Sequence, residues 1–281
     1  MTGTLFVVAT PIGNLEDITL RALRILREAD VIAAEDTRRT ARLLAHHGID
    51  TPTTSFHEHN TRTRVAQLMV RLDAGDRVAL VTDAGTPSIS DPGVELVRAC
   101  VERGVTVDPI PGASAPLTAA IASGFPLDPW TMFGFPPRRL KERSEWLKAL
   151  VAIPHTLSFF EAPHRITRTL TEMAAVFGER PIVVGRELTK VHQEFIRGSA
   201  QVISERLVTP KGEFTVVVGP AIIHEIPQSA ISDEVLFDEF GYITNNGGVG
   251  RRSAIQEIAE RHGLTAKNVY AAVERAKKLA L

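Results

Sequence analysis

The chain has 281 residues, 44% of them hydrophobic and 23% charged, with a formal net charge of −1 at pH 7. That length suits two domains with an appendage, and the composition is that of an ordinary soluble globular protein. The charge balance excludes a globally basic nucleic-acid binder but leaves room for local basic patches. A single cysteine, Cys100, excludes an intrachain disulfide and a cysteine-rich zinc site, and reads as a small buried helix residue. No apolar run approaches the roughly 18 residues of a membrane span, and no basic start with an apolar core marks a signal peptide. A cytoplasmic protein is expected.

Strand and helix signals alternate through the first part of the chain. The apolar run at 5–9 reads as a strand and leads into Thr10-Pro-Ile-Gly-Asn14. A helix then places Leu20, Leu23 and Leu26 on one stripe, with Arg21, Arg24, Arg27 and Glu28 off it. Residues 31–34 form the next strand, and the helix after it ends at Gly48. A third helix spans 61–74 and is closed by Gly75. A strand at 78–82, a helix at 93–103 and a strand at 105–110 follow. Continuous apolar strands joined through helices predict an α/β fold with a parallel sheet covered on both faces.

Pro111-Gly-Ala-Ser-Ala-Pro116 marks a junction. Beyond it, strands at 156–160, 182–187 and 214–218, a further candidate at 194–197 and a helix at 166–177 predict a second α/β domain ending near Pro220. Residues 221–240 hold five acidic and no basic residues, whereas 251–281 hold seven basic and three acidic ones and read as wholly helical. The expected organisation is an α/β domain over 1–112, a second over 113–222, and a small C-terminal helical unit over 223–281.

Three loops follow strands of the first domain: 10–14, Glu35-Asp-Thr-Arg38, and Asp83-Ala-Gly-Thr-Pro-Ser-Ile-Ser-Asp-Pro-Gly93. In open α/β sheets ligands bind at that carboxyl edge. In the third loop Gly85 lets backbone approach a ligand, Thr86 and Ser90 offer hydroxyls, and Asp83 and Asp91 offer carboxylates. Asp83 suits a cation or a ribose, and equally suits capping the turn.

These three loops, with Leu15 after the first, and Pro111-Gly-Ala-Ser-Ala115 together resemble the tetrapyrrole (corrin/porphyrin) methylase superfamily. Phe56-His-Glu-His-Asn60, Phe160-Glu-Ala-Pro-His-Arg165 and Gly185-Arg-Glu-Leu-Thr-Lys190 are similar to its ribosomal RNA small-subunit methyltransferase I branch, a branch of cytidine-2′-O-methyltransferases. The resemblance covers about residues 3–220, in order and at matching spacing. It implies two α/β domains with S-adenosylmethionine held in the cleft between them, and a homodimer. Carried over by position, it implies cofactor contacts from Pro11, from Ala84, Gly85, Thr86 and Ile89, from Ser114 and Ala115, and from Phe160 and Arg186. Thr86 stands where many members have Asp, which shifts the expected hold on the methionine end toward backbone and hydroxyl groups. Ser88 replaces a larger apolar residue.

The implied reaction is methylation of a cytidine 2′-hydroxyl in 16S ribosomal RNA of the small ribosomal subunit. Aligning the reactants can be worth about 7–11 kcal/mol. A base or cation that eases deprotonation of the hydroxyl typically adds about 10²–10⁴-fold. Polar residues expected near the cleft are His57, Glu58, Glu161, His164, Arg165, Glu187 and Lys190. Glu187 and Lys190, three apart after a strand, suit a base and its partner or a structural ion pair; with His57 they are the catalytic candidates. His57-x-His59 lacks further ligands at useful spacing, so no metal is expected; these histidines suit RNA contact or a turn cap.

Arg62, Arg64 and the stretch Arg138-Arg-Leu-Lys-Glu-Arg143 are candidate phosphate contacts, with Trp130, Phe133 and Phe135 as stacking surfaces or simply as core. In the tail, Gly263, the N-cap candidate Thr265 and the packing residues Ile258, Leu264 and Val269 resemble a helix-turn-helix. Its basic residues Arg251, Arg252, Lys267, Arg275, Lys277 and Lys278 favour nucleic acid over pure packing. Two alternatives stay open. One is methylation of a tetrapyrrole or a protein side chain on the same fold; the other is a non-catalytic RNA-binding factor.

Overall fold

A computed structural model describes residues 3–89, 93–207, 210–221, 232–246 and 249–279. Ser90 and Asp91 of the long loop lie outside these residues. The chain divides into two compact units, Met1–Ile222 and Ile223–Leu281.

The first sheet contains β1 (Thr4–Val8), β2 (Val31–Ala34), β3 (Thr53–Ser55), β4 (Arg77–Val81) and β5 (Thr106–Ile110), ordered β3-β2-β4-β1-β5 and parallel throughout. Because side chains alternate across a strand, Leu5, Val7, Val78 and Leu80 face one side, while Phe6, Val8, Ala79 and Val81 face the other. Helices α3 (Thr61–Asp73) and α4 (Gly93–Arg103) cover the first side with Leu68, Leu72, Leu96 and Cys100. Burial pushes the Cys100 thiol up to about 11, so it stays protonated. Helices α1 (Leu20–Glu28) and α2 (Thr37–His46) cover the second side. The stripe on α1 is Ala22, Ile25 and Leu26; Leu20, expected on it, is 86% exposed because it opens the helix at Thr19's cap.

The second sheet is mixed: β6 (Trp130–Met132), β7 (Thr156–Glu161), β10 (Phe214–Val218), β8 (Ile182–Arg186) and β9 (Glu194–Gly198), in that spatial order. Only β6 and β7 are parallel; β10 runs antiparallel to both β7 and β8. Helix α5 (Ala115–Ser123) packs Ala119 against Val183 and Val217. Helices α6 (Leu140–Val151), α7 (Ile166–Phe177) and α8 (Ala200–Arg206) contribute to a separate core with Leu147, Leu170 and Ile203.

Arg143 on α6 is 3% exposed and forms a bidentate pair with Glu172 on α7 at 2.7 and 2.8 Å. That contact holds Glu172 below the usual carboxylate range. The pair's contribution is therefore complete above the ordinary carboxylate range and is lost as pH falls through the lowered value. Arg143→Ala leaves Glu172 with only the exposed Arg168, 3.1 Å away, and takes a donor from the Arg138 carbonyl, so it is expected to cost roughly 1.5–3 kcal/mol. Thermal unfolding checks this; a wild-type Tm would show that the pair contributes nothing.

The second unit contains α9 (Asp233–Asn246), α10 (Arg251–His262) and α11 (Ala266–Leu279) around Leu236, Phe240, Ile258 and Val269. Gly263, at φ +63, closes α10, and the Thr265 hydroxyl accepts the Asn268 N–H. Two of the basic residues expected to reach nucleic acid are used internally: Arg251 pairs with Glu274, and Arg275 with Asp233. No helix among the described residues is long and apolar enough to cross a membrane.

Candidate active site

Parallel strands release their chains at one edge, so the loops after β2, β4, β1 and β5 emerge side by side. Backbone pairing continues past the strands. Thr10 N–H donates to the Gly85 carbonyl at 2.9 Å, and Gly85 N–H to the Thr10 carbonyl at 3.0 Å. Gly85 holds this bridge at φ +81, where residues with a Cβ are strained. The Thr86 hydroxyl donates to the Ala113 carbonyl at 3.2 Å and ties the β4 loop to the β5 loop.

The loops after β2 and β4 latch each other reciprocally. Glu35 accepts from the Thr82 hydroxyl at 2.7 Å and from Asp83 N–H at 3.1 Å, while Asp83 accepts from Asp36 N–H at 2.9 Å. Burial, followed by the Glu35 charge, pushes the Asp83 carboxyl above its usual value; Arg39, 3.4 Å away, offsets only part of this.

The second sheet meets this edge through its register. Phe214 lies opposite both Glu161 and Arg186, so the start of β10 sits beside the ends of β7 and β8. A cavity of about 440 Å³ opens between the four loops and these strand ends. Small-molecule sites typically measure about 300–1,000 Å³.

Of the nine residues expected to hold the cofactor, seven line this cavity: Ala84, Gly85, Thr86, Ile89, Ser114, Ala115 and Phe160. Pro11 lines a smaller adjoining hollow of about 150 Å³ that shares Arg39, Thr82 and Asp83 with it. Arg186 lines neither; its guanidinium donates to the Lys211 carbonyl at 2.9 Å and pairs with Glu194 at 3.5 Å. His57 is also outside both linings, in the turn before α3, where its N–H donates to Asn60 Oδ1 at 2.9 Å.

Glu187 and Lys190 occupy a strained turn after β8, with Glu187 at φ +48 and Thr189 at φ +65. Burial pushes Lys190 down, but hydrogen bonds to Glu187 at 2.9 Å and Glu213 at 3.0 Å outweigh it and hold the ammonium above its ordinary pKa. Burial pushes Glu187 up, and Lys190 together with the Glu213 N–H more than reverses that. At neutral pH the two are a charged pair. Lys190 reaches the cavity through Glu213, which lines it.

Glu213, Phe214 and Thr215 are cavity residues that sequence reasoning missed, since nothing local distinguishes the first residues of one apolar strand from those of another. Glu35 carried a signal, because it directly follows a strand at the ligand-binding edge. Among the described residues the lining holds the carboxylates of Glu35, Asp83, Glu161 and Glu213. Asp83 pairs with Arg39, Glu161 with Arg165 and Glu213 with Lys190, while Glu35 is held by the Thr82 hydroxyl and the Asp83 N–H. Apolar walls, hydroxyls and open backbone, with the Glu35 carboxylate at one side, suit a nucleoside body that carries a positive charge. They do not suit a polyphosphate.

Residues 4–203 match the family described as Tetrapyrrole (Corrin/Porphyrin) Methylases. The chain is 44% identical to the ribosomal RNA small subunit methyltransferase I of Synechocystis sp., over 95% of this chain and 96% of that one. It is 42% identical to the protein of the same name from Bacillus subtilis, over 95% and 93%. A solved structure of uroporphyrin-III C-methyl transferase from Thermus thermophilus, complexed with S-adenyl homocysteine, superposes with TM-score 0.55 at 19% identity, over 77% of this chain and 97% of that one. The likeness shows a shared fold. The chain belongs to the tetrapyrrole (corrin/porphyrin) methylases, and within them to the ribosomal RNA small subunit methyltransferase I family.

Proposed function

We propose that this methyltransferase carries the methyl group of S-adenosylmethionine to the 2′-hydroxyl of a cytidine in 16S ribosomal RNA, acting on the small ribosomal subunit in the cytoplasm. The observation that carries the reading is the partly apolar cavity at the joint carboxyl edge of the two sheets, in a chain alike over nearly its whole length to enzymes with that name. The sulfonium supplies an already activated methyl group, so the protein's work is alignment.

Ala84, Gly85, Thr86 and Ile89 hold the cofactor from the β4 loop, Ser114 and Ala115 from the β5 loop, and Phe160 from β7; Pro11 buttresses them from the adjoining hollow. The Thr86 hydroxyl donates to Ala113 and keeps its lone pairs for the ligand. The Glu35 carboxylate, held by the Thr82 hydroxyl and the Asp83 N–H, places negative potential where the ligand carries positive charge. Lys190, kept protonated by Glu187, supplies a fixed cation that eases loss of the hydroxyl proton. It does not serve as the resting base. Arg186 and His57 support the neighbouring strand end and turn. The chain acts as a homodimer, for which Leu117 and Ile121, both exposed on α5, offer an apolar face.

Calorimetric titration with S-adenosylmethionine and mass mapping of 16S ribosomal RNA from a deletion strain test this reading. Saturable binding and loss of one ribose methyl group are expected. An unchanged ribose methylation pattern would exclude the RNA substrate, and absence of binding would leave only a non-catalytic RNA-binding factor.

A further inference from the structure

The loop between β6 and α6 carries a residue that none of the cofactor contacts named above includes. Phe133 N–H donates to the Ser158 carbonyl at 2.7 Å, and Phe160 N–H to the Gly134 carbonyl at 3.2 Å, so pairing with β7 delivers the loop to the cavity mouth. There the backbone is clamped. The Pro136 carbonyl accepts from Arg165 Nη2 at 2.7 Å, the Pro137 carbonyl from the same nitrogen at 3.2 Å, and the Arg138 carbonyl from Arg143 Nη1 at 3.1 Å. Both guanidiniums are well buried and anchored in turn, Arg165 by Glu161 at 3.2 Å and Arg143 by Glu172.

This rigid support presents Phe135, which lines the cavity yet is 56% exposed. Among the described residues it is the only phenylalanine or tryptophan left exposed. One side of its ring lies against Phe160 at 5.4 Å, tilted by 36°. The clamped carbonyls and the two consecutive prolines, whose φ is fixed, hold the backbone beneath it. Arginines in the same loop and across the cavity offer positive charge to a polyanion. Arg138 and Arg139 follow in the same loop and are exposed, and Arg39 and Arg42 line the cavity and its adjoining hollow from α2.

A ribose hydroxyl can enter a cavity of this kind only when its nucleotide leaves the RNA stack, and the base then needs a replacement face. We propose that Phe135 is that face: it stacks on the base of the nucleotide being methylated, with the flanking arginines on the neighbouring phosphates. The inference rests on the RNA methyltransferase reading above and names the contact by which the substrate, rather than the cofactor, is held.

The test uses the full chain, S-adenosylmethionine and unmethylated small ribosomal subunits. Phe135→Ala is expected to lower kcat/KM for subunits by about 10-fold or more, the range that base–aromatic stacking supports. Its affinity for S-adenosylmethionine, measured by calorimetry, is expected to stay within about twofold of wild type, as for a ring that touches only RNA. Phe135→Trp should restore most of the loss, and Phe135→Leu, apolar but without a π-face, should not. Undiminished kcat/KM in Phe135→Ala, or equal rescue by Leu and Trp, would overturn the platform alone. An equal loss of cofactor affinity would assign the ring to the cofactor and overturn it too. Wild-type protein that leaves subunits unlabelled would overturn the underlying reading, and the platform with it.

Discussion

Gly85→Val is expected to weaken S-adenosylmethionine binding by at least ~100-fold, equivalent to about 2.7 kcal/mol, while the chain stays folded. Gly85 sits at φ +81 in the double hydrogen bond with Thr10, in the loop that supplies four of the proposed cofactor contacts. A β-branched residue is a genuine outlier there, and such positions cost of order 1–3 kcal/mol. The loop therefore moves rather than the core, whose stability of about 5–15 kcal/mol absorbs the change. Space is a lesser matter: a Cβ would lie 3.4 Å from an Ile12 methyl and 3.7 Å from the Ala113 carbonyl. Gly85→Ala should consequently fall between wild type and Val. Calorimetry reads the affinity and far-UV circular dichroism the fold. Normal affinity in Gly85→Val would remove the β4 loop from the cofactor site.

The second large effect is expected at Lys190. Lys190→Ala should lower turnover by about 10²–10³-fold, the usual worth of a fixed group that stabilises developing negative charge. Cofactor affinity should be nearly unchanged, because Lys190 does not line the cavity itself. Its placement is over-determined: the turn is strained at Glu187 and Thr189, two carboxylates hold the ammonium, and a side chain at Gly13 would collide with its stem. Glu187 is lowered and Lys190 raised, so the pair is charged from the ordinary carboxylate range up to beyond the ordinary lysine range. The wild-type rate should therefore show no step at neutral pH attributable to Lys190, and Lys190→Arg should recover part of the turnover. Single-turnover methyl transfer measures both. Full turnover in Lys190→Ala would reduce the pair to a structural one.

The first sheet was legible because its strands are continuous apolar runs, such as 5–8 and 78–81, and that pattern means burial on both faces. The three-residue strands β3 and β6 escaped notice, being short and only partly buried. Helix α5 escaped for another reason: Ala-Pro-Leu-Thr-Ala-Ala-Ile-Ala-Ser is apolar or small throughout and shows no helical period, so only its Pro-rich start was visible. In the tail, the caps at Gly263 and Thr265 were legible because capping is local. The partners Glu274 and Asp233 were not, since they come from other helices.

The candidate site divides the same way. By itself the sequence determined the family, the parallel sheet and the loops at its carboxyl edge, because glycines, prolines and apolar runs act within a few residues of where they stand. Tertiary structure alone decided what those loops face. Antiparallel pairing across β7, β10 and β8 brought Glu213 to the cavity and gave Lys190 its second carboxylate; the clamp from Arg143 and Arg165 left Phe135 in the open. The charge of a group and the exposure of a ring are set by neighbours from distant parts of the chain, and those neighbours exist only once it has folded.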